Sequence, residues 1–233
     1  MTQPLLANLV TGSPARNHDF DFARWRLAQA LYEAGEIRTD AWNNYDAGEA
    51  IEAGDILVSY TSQVPVSDGN CEALRTFLER GGRWFAIHAS NSVLDNAHLP
   101  AILGSKFITH PAYSHFPVAI SAPNDPLLRG IDPFEIDDEL YVIDVRGNIE
   151  VLLETRWGGE ALGGRQVEEG VRPLMYRHRV GEGEVLYLAL GHANRPFDTP
   201  RPGMSQPDRR GPWEMPVYKE LIRRGIAWAA RRE

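Results

Sequence analysis

Three of the seven histidines in this 233-residue chain follow closely on apolar runs of strand length. His18 ends the stretch Thr11-Gly12-Ser13-Pro14-Ala15-Arg16-Asn17-His18 after Leu5–Val10. His88 opens His88-Ala89-Ser90-Asn91 after Arg83–Ile87, and His192 sits in Gly191-His192-Ala193-Asn194 after Glu184–Leu190. In an open α/β sheet, ligands bind beyond the carboxyl ends of the strands. If these runs share one sheet, the three imidazoles meet at one edge of it. His110 and His115 lie in the loop 108–116, and Glu139 lies within Asp137-Asp138-Glu139-Leu140-Tyr141. Neutral imidazoles with a carboxylate are the ligand set of zinc and related divalent ions. The same groups can move protons near neutral pH.

The expected metal ligands are therefore His18, His88 and His192. His88, Glu139 and His110 are the expected acid–base groups, and Asn17, Ser90, Asn91, Asn194 and Arg195 the expected substrate contacts. His18 precedes a helix N-terminus, whose dipole disfavours imidazolium. A lone histidine after a strand is more often a turn residue than a ligand, so the inference rests on convergence. His98 and His178 are read as structural, His178 because it alternates with Tyr176 and Val180 in an extended stretch. No His-x-x-x-His or Glu-x-x-His pair joins the candidate residues. The metal reading thus depends on the fold bringing distant positions together.

Competing chemistries find little support. There is no Gly-x-Ser-x-Gly elbow and no Gly-x-x-x-x-Gly-Lys-Ser/Thr phosphate loop, and no nucleotide cofactor is expected. Ser90 stands two residues past His88, but short turns carry serine routinely. Cys71 falls in the first turn of a predicted helix and reads as a small apolar group.

The elements that must position these residues follow from patterning. The runs Leu5–Val10, Asp55–Tyr60, Arg83–His88 and Glu184–Leu190 are continuous rather than alternating, as expected for parallel strands covered on both faces. Helical patterns span Asp19–Ala34, with Asp19 as N-cap and Gly35 as stop, Asp68–Arg80 before Gly81-Gly82, and Val217–Arg231. Gly181-Glu182-Gly183 reads as a hairpin turn. The pieces Phe116–Ser121, Leu140–Val145, Glu150–Thr155 and Leu174–Val180 are read as a strand-rich extension of the same sheet. Residues 195–213 hold prolines 196, 200, 202, 207 and 212 and form a long irregular loop. Its Arg195, Arg201, Arg209 and Arg210 are expected to cover the pocket or to build a contact between copies of the chain.

Composition sets the outer limits. Hydrophobic residues make up 43% and charged residues 24%, as in soluble globular chains. The charge is 24 basic against 32 acidic residues, a net of -8, which argues against nucleic acid as partner. No apolar run approaches the roughly 20 residues of a membrane span. A start of MTQPLLANLV without a basic region, and a single cysteine, lead us to expect a reducing cytoplasm. A single α/β domain over 1–233 is expected.

Several segments resemble the ThuA-like (trehalose utilisation) family. Pro173–Asn194, PLMYRHRVGEGEVLYLALGHAN, is similar to its closing strand, Gly-x-Gly, strand and LGH segment. Asp125–Tyr141, DPLLRGIDPFEIDDELY, is similar to its DELY segment, with Asn124-Asp125-Pro126 where His-Pro is frequent. Phe85–Ala89, FAIHA, resembles its central strand, and Leu221–Ala230, LIRRGIAWAA, its last helix. The resemblance implies a flavodoxin-like fold of the class I glutamine amidotransferase-like kind. In amidotransferases a catalytic cysteine occupies the elbow after the central strand; His88 stands there instead, so thiolate chemistry is not available.

The resemblance also implies a link to sugar and keto-sugar catabolism. Two functions are then in view. One is an enzyme acting on a sugar derivative as isomerase, epimerase or hydrolase, with a divalent metal, zinc by ligand type, or with a His/Glu pair alone. The other is a non-catalytic sugar-sensing or assembly module on a degenerate amidotransferase-like scaffold.

Overall fold

The computed structural model describes residues 3–15, 17–94, 96–198 and 207–232. Its first half alternates strand and helix: β1 (Leu5–Gly12), α1 (Phe20–Glu33), β2 (Ile37–Trp42), α2 (Gly48–Ala53), β3 (Ile56–Thr61), α3 (Asp68–Glu79) and β4 (Arg83–Ile87). A short 3₁₀ turn over His88–Asn91 and α4 (Leu99–Leu103) follow. Then come β5 (Ser105–Thr109), β6 (Ser114–Ile120), β7 (Phe134–Asp138), β8 (Val142–Val145), β9 (Ile149–Ala161), β10 (Arg165–Val180) and β11 (Gly183–Leu188). The chain closes with α5 (Pro216–Ala229).

Nine strands form one sheet in the order β2-β1-β3-β4-β11-β10-β9-β6-β7. The first five run parallel to their neighbours. From β11 onward the pairing is antiparallel. The four apolar runs of the sequence are β1, β3, β4 and β11, and they lie side by side. Their continuity has a simple cause: β3 is buried at every position, as is β4 from Trp84 onward. The parallel part has the flavodoxin-like order, in which the chain reverses direction of winding between β1 and β3.

Local chemistry fixes the helices. Asp19 caps α1 by accepting the Phe22 amide at 3.0 Å, worth about 1 kcal/mol at such a position. Ala23, Leu27 and Leu31, four residues apart, bury the inner stripe of the same helix. Helix α5 buries Tyr218, Leu221, Ile222, Gly225, Ile226 and Trp228. Gly181 and Gly183 flank the antiparallel turn from β10 to β11, as read from the sequence.

The extension differs from expectation in two parts, the first being that it includes β7. The stretch 140–145 contributes β8, from Val142 onward, to a separate two-stranded sheet with β5 rather than to the main one. The 108–116 loop is shorter than read, because β5 and β6 claim its ends. Strands β2, β5 and β7 and helices α2 and α4 were not anticipated. Of the 195–213 loop, Arg201 and prolines 200 and 202 lie outside the described residues. Among the described residues no helix is long and apolar enough to cross a membrane.

Candidate active site

The loops leaving β1, β4 and β11 bring His18, His88 and His192 together at the carboxyl edge of the sheet. All three are buried, with 4%, 0% and 2% exposure. His18 Nε2 lies 3.0 Å from His88 Nε2. Glu139, just past β7, enters from the antiparallel half; its Oε2 is 3.0 Å from His192 Nδ1, 3.7 Å from His88 Nε2 and 3.9 Å from His18 Nε2. One ligand atom from each of the four residues lies within 4.8 Å of every other.

The outer nitrogens of the rings fix their protonation. His88 Nδ1 faces the Ala189 carbonyl at 2.7 Å; a carbonyl only accepts, so Nδ1 carries the hydrogen. His18 Nδ1 donates likewise to Asn17 Oδ1 at 3.0 Å, the Asn17 amide being oriented by its own donation to Ser62 Oγ. His192 Nε2 donates to Asn194 Oδ1 at 2.9 Å, with the Asn194 nitrogen spent on the carbonyls of Arg195 and Pro207. In the neutral rings, His18 Nε2, His88 Nε2 and His192 Nδ1 therefore all turn lone pairs toward one point. His192 Nδ1 is fully enclosed yet makes no well-formed hydrogen bond. Metal-binding histidines are oriented in this way, the second nitrogen donating to a carbonyl or carboxylate.

Charge within the cluster is strongly coupled. Burial, reinforced by His88 and His192, holds His18 well below the ordinary histidine value. Burial also opposes charge on His192, but Glu139 and then Asp138 outweigh it and raise His192. For Glu139, burial works upward, and His192, His88 and His110 more than reverse it, keeping the carboxylate well below its usual range. A carboxylate and an imidazole able to share a proton thus stand beside an imidazole held neutral.

The backbone is shaped around this cluster. His88 adopts φ 49°, a left-handed conformation uncommon for a side-chain-bearing residue. Such strain of roughly 1–3 kcal/mol persists where the surroundings over-determine it. Here the Tyr187 hydroxyl donates to the His88 carbonyl at 2.7 Å. Gly191 has φ 132°, and a Cβ there would meet the Tyr218 hydroxyl at 2.5 Å. The Gly191 carbonyl accepts from both Tyr60 Oη and Trp213 Nε1.

Asp138 links two arms of the site. Its buried carboxylate accepts from the amides of Gly191 (2.7 Å), His192 (2.9 Å) and Glu139 (2.8 Å). Burial raises its pKa, while His88, His192 and the amide bonds work against the rise. Neither Asp138 nor Tyr60 was anticipated, although Asp138 lies in the DELY segment and Tyr60 ends the β3 run.

The remaining expected residues separate into groups. His110 Nε2 is 3.9 Å from Glu139 Oε1, on the side of the carboxylate away from His192, and its ring is partly exposed. Asn17 and Asn194 touch imidazoles and orient them. Ser90 and Asn91 are enclosed: Ser90 Oγ bonds to β3 and to the Ile87 carbonyl, and Asn91 donates to Ser105. Both bond to the scaffold in this structure, because the 3₁₀ turn points them inward. His115 stands at the surface between Glu135 and Asp137, away from the cluster, and His178 is tied to the Asn148 and Ala101 carbonyls.

Arg195 does face a cavity. A space of about 620 Å³ opens over the β1 end, bordered by Ser13, His18, Asn43, Asn44, Arg195 and Phe197 among others. Asp19, next to His18, accepts from Arg195 Nε at 2.8 Å and Arg210 Nη1 at 2.9 Å. Both described ends of the 195–213 loop are thereby fastened beside the pocket. Arg209 instead lies over the Tyr113 ring.

Fold and site together define a flavodoxin-like α/β protein with a buried group of three histidines and one carboxylate at its strand ends. The chain belongs to the trehalose utilisation family, ThuA, whose model matches residues 9–203. The family points to a role in sugar metabolism.

Solved structures of similar fold include a putative ThuA-like protein from Parabacteroides merdae, with TM-score 0.74 and 16% identity over 97% of this chain and 90% of that one. A second, from Bacteroides uniformis, has TM-score 0.70 and 17% identity over 98% and 93%. A β-galactosidase from Bacillus circulans contains a similar fold, with TM-score 0.61 and 16% identity over 99% of this chain and 31% of that one. Comparison with curated protein sequences gives no match.

Proposed function

We propose that this protein is an enzyme of sugar or keto-sugar metabolism in which His18, His88, His192 and Glu139 hold a divalent metal, zinc by ligand type. The observation that carries the reading is the set of lone pairs facing one point, each imidazole fixed from behind by an oxygen acceptor. Without a proton or a cation between them, two imidazole lone pairs at 3.0 Å repel. A tetrahedron with arms of 2.0–2.1 Å has edges of about 3.3 Å, so the wider spacings, up to 4.8 Å, close somewhat on binding.

A bound ion would supply polarisation of a carbonyl or stabilisation of an enediolate. The chain's own groups supply the rest. His110 Nδ1 donates to the Pro111 carbonyl, leaving Nε2 as an acceptor beside Glu139 on a partly exposed ring. It is placed to take a proton from the carbon next to a substrate carbonyl. That proton transfer is common to isomerisation, epimerisation and elimination-type hydrolysis of an oxidised sugar. The substrate is a small polyhydroxylated molecule, which the hydroxyl, amide and guanidinium groups of the 620 Å³ cavity would hold by hydrogen bonds.

The test is a panel of oxidised and unoxidised mono- and disaccharides, offered to protein freed of metal and to protein reloaded with zinc or manganese. Turnover of oxidised sugars only by the reloaded protein is the expected result. Full turnover by chelator-treated protein that is lost in His110→Ala would replace the metal reading with a metal-free acid–base site. Saturable sugar binding without turnover in any state would indicate a sensing module.

A further inference from the structure

Tyr141 closes the DELY segment and is 3% exposed. Its ring lies between two histidines of different standing: its centroid is 4.3 Å from that of His88 and 5.9 Å from that of His110, at interplanar angles of 31° and 28°. Phe107 packs on it at 4.5 Å. Every other deeply buried tyrosine hydroxyl around the sheet is engaged. Tyr45 meets Thr61, Tyr60 donates to Gly191, Tyr176 to Leu103, Tyr187 to His88 and Tyr218 to Leu190. Among the described residues the Tyr141 hydroxyl has no hydrogen-bond partner, yet it is not one of the sealed polar atoms left unsatisfied.

A phenol in such a place costs stability unless something meets it, since a buried hydroxyl without a partner forfeits about 1–3 kcal/mol. The scaffold could have used phenylalanine, as it does at Phe107. The unpaired hydroxyl belongs to a ring in contact with one histidine of the metal-type cluster and close to His110, beside the groups that would act on a substrate.

We propose that Tyr141 is a substrate-contacting residue: its neutral phenol O–H donates a hydrogen bond to a hydroxyl or carbonyl oxygen of an α-hydroxyketone, while its ring forms the wall on which that group lies. The inference rests on the function proposed above for its location, but not on the presence of a metal. The α-hydroxyketone follows from the donor set: an O–H donor on a ring near His110, an acceptor in His110 Nε2 and the Glu139 carboxylate 3.9 Å from it match adjacent C=O and O–H groups.

The probe is 2-hydroxycyclohexanone, which carries a carbonyl next to a hydroxyl on a six-membered ring, titrated by ligand-observed NMR into the full-length protein with and without added zinc. Tyr141→Phe keeps the ring and removes only the hydroxyl. We expect the variant to melt at or above the wild-type temperature, to retain its metal content and to bind the probe roughly 2- to 12-fold more weakly, the range for one neutral hydrogen bond. Tyr187→Phe serves as control, because it loses a scaffold bond to the His88 carbonyl and should lower the melting temperature.

Equal probe affinity in wild type and Tyr141→Phe, or no binding by wild type in either metal state, overturns the inference. So does a melting-temperature loss matching that of Tyr187→Phe, which would place the hydroxyl in the scaffold. Absence of metal uptake by wild type, with the affinity difference intact, would instead sink the metal reading and leave Tyr141 standing.

Discussion

Asp138 offers the sharpest perturbation of the site's architecture, because one carboxylate holds two separate arms of it. Its oxygens accept three enclosed amides, from Glu139 on the β7 side and from Gly191 and His192 on the β11 side. Replacing it by alanine strands all three donors. Each stranded buried amide costs about 1–3 kcal/mol, offset in part because a buried charge is no longer kept from water. A net loss of roughly 3–6 kcal/mol follows, or about 6–24 °C in melting temperature for a chain of this size. Asp138→Asn should fall between, since its Oδ1 can keep the Glu139 and His192 amides while its NH₂ opposes the Gly191 amide. Because Glu139 and His192 also lose their shared anchor, both variants should bind zinc more weakly at temperatures where they remain folded. Differential scanning calorimetry and metal titration measure the two effects. An alanine variant that melts within 2 °C of wild type would refute the reasoning.

Other outcomes follow from the same geometry. To ligate, His192 must be neutral, and its pKa lies above the ordinary histidine value once Glu139 and Asp138 have outweighed burial. Apparent zinc affinity should therefore fall about tenfold per pH unit below that raised pKa, with one proton released per ion bound; a pH-independent affinity between pH 6 and 8 would contradict this. Asp19→Ala removes the α1 cap and the shared acceptor of Arg195 and Arg210. It should cost about 1–3 kcal/mol and speed proteolysis within 195–210, read by timed digestion. Gly191→Ala combines φ 132° with a 2.5 Å approach to the Tyr218 hydroxyl. It should lose 3 kcal/mol or more by urea denaturation, of order the strain and overpacking terms together.

Much of the fold was legible in sequence because burial on both faces leaves a plain trace. Strands β1, β3, β4 and β11 are continuous apolar runs, and their carboxyl ends carry the histidines. Strand β2 left no such trace: at the sheet edge, Ile37–Trp42 has no fully buried position, so its composition, IRTDAW, resembles a loop. Leu140 and Tyr141 read as strand because they are apolar and aromatic, yet they are buried by packing around the site, not by strand pairing. The histidine convergence could be inferred from topology alone. The roles of Asn17, Asn194 and Asp138 as orienting groups could not: Asn17 and Asn194 act on histidines one and two residues away through side-chain geometry that sequence does not fix, and Asp138 reaches Gly191 and His192 across more than 50 residues of chain. Ser90 and Asn91 show the complementary limit: sequence position after a strand does not tell whether a 3₁₀ turn aims a side chain outward or into the core.

The claim that three imidazoles and a carboxylate form one metal centre is tested most directly by X-ray absorption at the zinc edge on protein loaded with zinc. The account predicts one ion per chain with a first shell of three nitrogens and at least one oxygen at about 2.0–2.1 Å. His88→Ala should lose one nitrogen, or the ion altogether, while its circular dichroism matches that of wild type. A zinc-to-protein ratio near zero after equilibration, or a first shell unchanged by His88→Ala, would contradict it.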